Sequence, residues 1–171
     1  MRLKNTRMLT IMALFVAIGT LGSQFIWFPA GIAKAYPVQH AVNVLSAIIL
    51  GPGPAVLIAF LIGLLRNILG LGSLLAFPGG MIGAFVAGMM YRYFKRYYMA
   101  AIGEIIGTGI IGALLSVPFA KLLMGSSFGS LFFVPPFLVS SMTGAIIALL
   151  IASKANITNR LKENNMTTKI K

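Results

Sequence analysis

The sequence predicts an all-α membrane protein of six transmembrane helices. Three observations carry this reading. Of 171 residues, 58% are hydrophobic and only 9% are charged, whereas a soluble domain carries about 25% charged residues. The mean hydropathy is +0.95. The apolar stretches are separated by short turns rich in glycine, proline and basic residues, as expected of a single domain of several spans.

Span one runs from about Met8 to Phe28, after a basic N-terminus over 1–7. Its length exceeds the apolar core of a signal peptide and no small-residue cleavage site follows, so it is expected to remain as a span. A loop, Pro29 to Pro37, leads to span two, Val38 to Leu50, which is too short to cross a ~30 Å core unaided. Tilt, or a start buried beneath the preceding loop, would resolve this. Gly51-Pro52-Gly53-Pro54 reads as a sharp break before span three, Ala55 to Leu69. Gly70-Leu71-Gly72-Ser73 is a second turn. Span four, Leu74 to Tyr93, is expected to be interrupted at Pro78-Gly79-Gly80. Span five runs from Tyr98 to Met124 with a kink expected at Pro118. Gly125 to Ser130 is a turn. Span six covers Leu131 to Ala152, and a polar basic tail, 153–171, is expected to be frayed or disordered.

The net charge is +12, with Glu104 and Glu163 the sole acidic residues. All of the 14 basic residues except Lys34, Arg66 and Lys121 fall before span one, between spans four and five, or after span six. This is the positive-inside pattern, a better account of the charge than nucleic-acid binding, and it predicts cytoplasmic N- and C-termini. The absence of cysteine excludes disulfides and thiolate metal sites.

The most informative stretch is Tyr36-Pro37-Val38-Gln39-His40-Ala41-Val42-Asn43. It contains the lone histidine. On a helix, Gln39, His40 and Asn43 share one face, which needs a polar partner within an apolar protein. That partner is either another helix or a small ligand. Ionisable groups inside a membrane are functional candidates by default. Arg66, beside Asn67 in the outer half of span three, is such a group, unless it snorkels to the interface. Glu104 is another, with Thr108 one turn beyond it, unless it serves as an interhelical hydrogen bond or a protonated acid. Counting along the spans puts His40 near the outer surface and Glu104 in the inner half, which argues against an intramembrane enzyme built on the two. Trp27, Tyr36, Phe77, Phe132 and Phe133 gather near the outer end, as an aromatic belt or as a wall for a flat heterocycle. Ala13 and Ala17, and the glycines 103, 107 and 112, are spaced for close helix packing.

Several chemistries are excluded. No G-x-x-x-x-G-K-[ST] loop is present, so the chain holds no ATP by that device. One histidine and two distant glutamates cannot form an H-E-x-x-H zinc site. With no aspartate, no Ser-His-Asp set exists. No metal and no cofactor are expected. Uphill movement of a solute would take its energy from another subunit.

The stretches Pro37–Asn43 (PVQHAVN), Leu64–Asn67 (LLRN), Leu75–Gly80 (LAFPGG), Ile102–Gly109 (IGEIIGTG) and Phe132–Phe137 (FFVPPF) resemble the substrate-binding S components of energy-coupling-factor (ECF) vitamin transporters, and among them the thiazole-type ThiW family. The resemblance spans about Met8 to Ala152. It implies a six-helix binding subunit that is not an enzyme. It implies docking on a transmembrane coupling protein that carries two ATPase subunits. The family's Ala-x-x-x-Ala docking pattern falls on Ala13 and Ala17. The implied ligand is the hydroxyethyl-thiazole precursor of thiamine; thiamine itself or a pyrimidine precursor is the alternative. Under this reading Gln39, His40 and Asn43 hydrogen-bond the ligand, and Arg66 and Asn67 form a second polar wall. Tyr36 or Phe77 stacks on the ring, while Glu104, with Thr108 on the same face, lies deeper and closes the floor or attracts a cationic ligand.

Overall fold

The computed structural model describes residues 2–31, 33–125, 129 and 131–155. Helix α1 is Arg2–Phe25. Strands β1 (Phe28–Ala30) and β2 (Ala33–Ala35) pair antiparallel, with Phe28 opposite Ala35. Helices α2 (Pro37–Leu50), α3 (Pro52–Ile68) and α4 (Ala76–Phe94) follow. Then α5 (Tyr97–Ile106), a π-helical stretch (Gly107–Gly112) and α6 (Ala113–Met124) continue as one rod. Helix α7 is Val134–Lys154. The described residues thus form six helical rods and one hairpin.

Three rods are long and apolar enough to cross a membrane: Thr6–Phe25, Tyr97–Leu123 and Val134–Lys154. With this composition the chain is an integral membrane protein. Helices α2 and α3 are apolar but shorter, at 14 and 17 residues. The hairpin comes directly before α2 in the chain and packs against α7.

Large apolar side chains such as Leu14, Ile18, Phe85, Leu122 and Ile146 face outward, while alanines 47, 55, 59, 84, 87, 100 and 148 are fully buried. Lipid tails are as apolar as leucine, so burying leucine gains nothing there. The interior is instead set by how closely backbones can approach. The α4–α5 contact shows this best. A Cβ on Gly103 would lie 2.8 Å from Ala87 Cα, one on Gly107 2.8 Å from Gly83 Cα, and one on Gly112 2.7 Å from Gly79 Cα.

Several expected boundaries move. Span one stops at Phe25, not Phe28, because Pro29 has no N–H to continue the helix and Gly31 (φ 65°) turns the chain into the hairpin. The break after α2 is confined to Gly51 (φ 85°). Pro52 and Pro54 lie in the first turn of α3, where backbone N–H groups have no helical partner to lose. For the same reason Pro78-Gly79-Gly80 opens α4 and does not interrupt it. In the fifth rod Pro118 lies within α6, but the departure from α geometry comes earlier, at the glycine-rich Gly107–Gly112. The tail beyond residue 155 and most of the Gly125–Ser130 turn lie outside the described residues.

Candidate functional site

Helix α2 is buried almost all round, so its polar residues must find partners within the protein. His40 Nδ1 lies 2.7 Å from Glu104 Oε1. Asn43 Nδ2 donates to the same oxygen at 3.1 Å and to Gly80 O at 3.1 Å. Two acceptors on one side fix the orientation of that amide. Thr108, in the π-helical stretch, has one hydroxyl proton to share between Glu104 Oε1 at 2.9 Å and Gly79 O at 3.0 Å. Glu104, Asn43 and Thr108 are all at most 1% exposed. Glycines make this cluster possible: a Cβ on Gly83 would collide with Thr108 Oγ1 and Glu104 Oε2, and one on Gly144 with His40 Cβ.

The contact between His40 and Glu104 corrects the expected difference in depth. His40 is ten residues before the end of α2, about 15 Å at the helical rise. Glu104 is seven residues into α5, about 10 Å from the same end. Because α2 starts below the hairpin and not at the surface, the two meet near mid-height.

A second polar group lies one layer above. Arg66, near the end of α3, is 2% exposed. Its Nη1 donates to Gln39 Oε1 and its Nη2 to Leu71 O at 3.1 Å. The guanidinium carbon is 3.7 Å from the centre of the Tyr36 ring, and Tyr36 OH donates to Leu71 O at 3.2 Å. The inward hydrogen bond to Gln39 rules out snorkelling. The loop over Arg66 is held by Asn67, whose Nδ2 donates to Gly63 O at 2.8 Å and Ser73 O at 3.1 Å.

These two groups border a cavity of about 460 Å³, within the range of small-molecule sites. It is lined by the end of α1 (Ser23, Gln24) with Trp27 just beyond it, the hairpin, the Gly70–Ser73 loop, the start of α4, and Phe133 with the start of α7 (Phe137, Ser140). Of the expected ligand-binding residues, Tyr36, Gln39, His40, Arg66 and Thr108 line it. Asn43 and Glu104 lie directly behind His40. Asn67 and Phe77 do not line it: Asn67 staples the loop, and Phe77 pairs with Phe60 at 5.6 Å between ring centres. Trp27, Phe133 and Phe137 supply the aromatic wall instead. Lys34 and Ser140 also line the cavity without having been singled out as ligand-binding residues. For Ser140 the adjacent serines of span six were the one legible signal; its Oγ accepts from Tyr36 N at 2.8 Å and anchors the hairpin.

Ala13 and Ala17 are exposed on the outer face of α1, whereas Gly19 and Gly22 face inward against Ile62 and Val38.

A family model described as thiamine-precursor transporter protein (ThiW) matches residues 9–157. No curated protein and no solved structure matches the chain.

Proposed function

The chain belongs to the ThiW family of thiamine-precursor transporter proteins, and from that premise we propose that it is the S component of an ECF-type importer, capturing hydroxyethyl-thiazole in the cavity beneath the hairpin. The observation that carries this reading is the junction of that cavity with the Glu104-anchored His40 ring. An imidazole whose Nδ1 is tied to a carboxylate is fixed in orientation and presents Nε2 to its surroundings. In this reading Nε2 meets the ring nitrogen or the hydroxyl of the ligand, depending on which of them brings the proton. Trp27, Phe133 and Phe137 cover the flat faces of the ring. A wrong ligand that leaves one buried donor unpaired loses about 1–3 kcal/mol, enough for so small a site to discriminate.

The positive-inside pattern of the basic segments supports cytoplasmic termini and a cavity that opens toward the exterior. All six rods then traverse the bilayer, α2 with the hairpin above it. The exposed Ala13/Ala17 stripe would let a coupling protein approach α1 closely, with ATP hydrolysed by that partner's two ATPase subunits. The His40–Glu104 contact removes the depth objection to an intramembrane enzyme, but a transporter family and a site suited to holding a ring favour binding. Thiamine itself remains the alternative ligand, since the cavity has room beyond a single five-membered ring.

Calorimetric titration of the purified protein with hydroxyethyl-thiazole, thiamine and the pyrimidine precursor tests the assignment. The thiazole is expected to bind tightest, and His40→Ala to weaken it by roughly tenfold or more. Tighter binding of thiamine would reassign the ligand, and no binding of any of the three would end the reading.

A further inference from the structure

The two ends of the cavity are not equivalent in charge. Among the described residues Glu104 is the one carboxylate, and His40, Asn43 and Thr108 occupy it. Arg66 therefore has no acidic partner. Its guanidinium stays charged, and burying such a charge without a counter-ion costs several kcal/mol. What it touches is neutral: the Gln39 amide, the Leu71 carbonyl and the Tyr36 ring. Of its five N–H donors, those on Nη1 and Nη2 meet Gln39 and Leu71, and Nε has no partner. Lys34 adds a second positive charge at the rim, its Nζ 4.0 Å from the centre of the Trp27 ring. The Gly70–Ser73 loop runs close over Arg66: a Cβ on Gly72 would lie 3.3 Å from Arg66 Cβ.

We propose that the Arg66 end of the cavity is an anion subsite, so that beyond the alcohol the site also takes, and prefers, forms of the thiazole that carry a carboxylate or a phosphate beside the ring. This rests on the cavity being the solute site. The planar guanidinium fork matches the paired oxygens of either group. The bound anion would supply the counter-charge that no described residue offers Arg66, while His40 holds the ring at the other end. Lys34 draws the anion in without contacting the ring.

The test uses the full-length protein in an uncharged detergent, titrated with three matched thiazoles: the alcohol, the carboxylate and the phosphate monoester. One of the anionic forms is expected to bind at least about tenfold tighter than the alcohol, with added salt weakening the anion alone. Arg66→Gln should bring the anion-to-alcohol ratio to about one, and Lys34→Gln should reduce it by roughly two- to threefold. If Arg66→Gln does not fold, the wild-type ratio and Lys34→Gln decide. Binding of the alcohol as tightly as both anions overturns the subsite and leaves the proposed function standing. Binding of none overturns both. Repeating the titration in phosphatidylcholine and phosphatidylglycerol nanodiscs separates solute from lipid. A preference kept in both supports the proposal, whereas loss in phosphatidylglycerol alone makes a lipid headgroup the occupant and overturns it.

Discussion

Two stripes of small residues, one on α1 and one at the α4–α5 contact, have similar spacing and opposite surroundings. On α1, Ala13 and Ala17 point away from the protein. At the α4–α5 contact, Gly79, Gly83 and Ala87 meet Gly112, Gly107 and Gly103 backbone to backbone. In a membrane both arrangements have the same physical value, a place where another backbone can come close. At α4–α5 that value is realised inside the subunit, and it lets Glu104 and Thr108 reach α2 and α4. On α1 it is left open, which is what a docking surface for another membrane protein requires.

The comparison breaks most readily at the inner stripe. Gly103→Leu puts a side chain onto the Ala87 backbone and is expected to cost about 3 kcal/mol or more. Thermal unfolding in detergent measures this, and an unchanged midpoint would show that the two helices are not in close contact. Gly83→Ala is milder. Its methyl meets Thr108 Oγ1 and Glu104 Oε2 and not a backbone, so a loss of about 1–3 kcal/mol is expected. Ligand affinity should fall with it, because the His40 anchor shifts; unaltered affinity would detach the glycine contact from the site. Ala13→Leu and Ala17→Leu should change stability by less than about 0.5 kcal/mol and leave binding by the purified protein intact. Uptake by cells carrying the coupling partners should nonetheless be lost. Uptake that survives both changes would remove the docking role of α1.

The cavity offers a second contrast of the same kind. Both of its polar groups are buried, but Glu104 is met by three side chains, all at Oε1 with Oε2 left unmatched, while Arg66 is met by neutral groups and leaves Nε unmatched. Several side chains converging on one carboxylate oxygen hold a protein together. A buried cation met by neutral groups alone is where the proposed anion would bind.

Composition alone established a membrane protein, because 9% charged residues cannot cover a surface in water. Apolar run length located the helices to within a few residues, and the i, i+1, i+4 spacing of Gln39, His40 and Asn43 gave the polar face of α2, since both are local properties of a helical chain. The hairpin was missed: strands of three residues leave no period to read, and Pro29 and Gly31 alone mark it. Three matters were decided by the tertiary structure: that His40 meets Glu104, 64 residues away; that Arg66 turns inward to Gln39; and that Ala13 faces out while Gly19 faces in. Each depends on the axial shift and rotation of one rod against its neighbours. In lipid those are set by the fit of small residues across helices, which no single segment of the sequence contains.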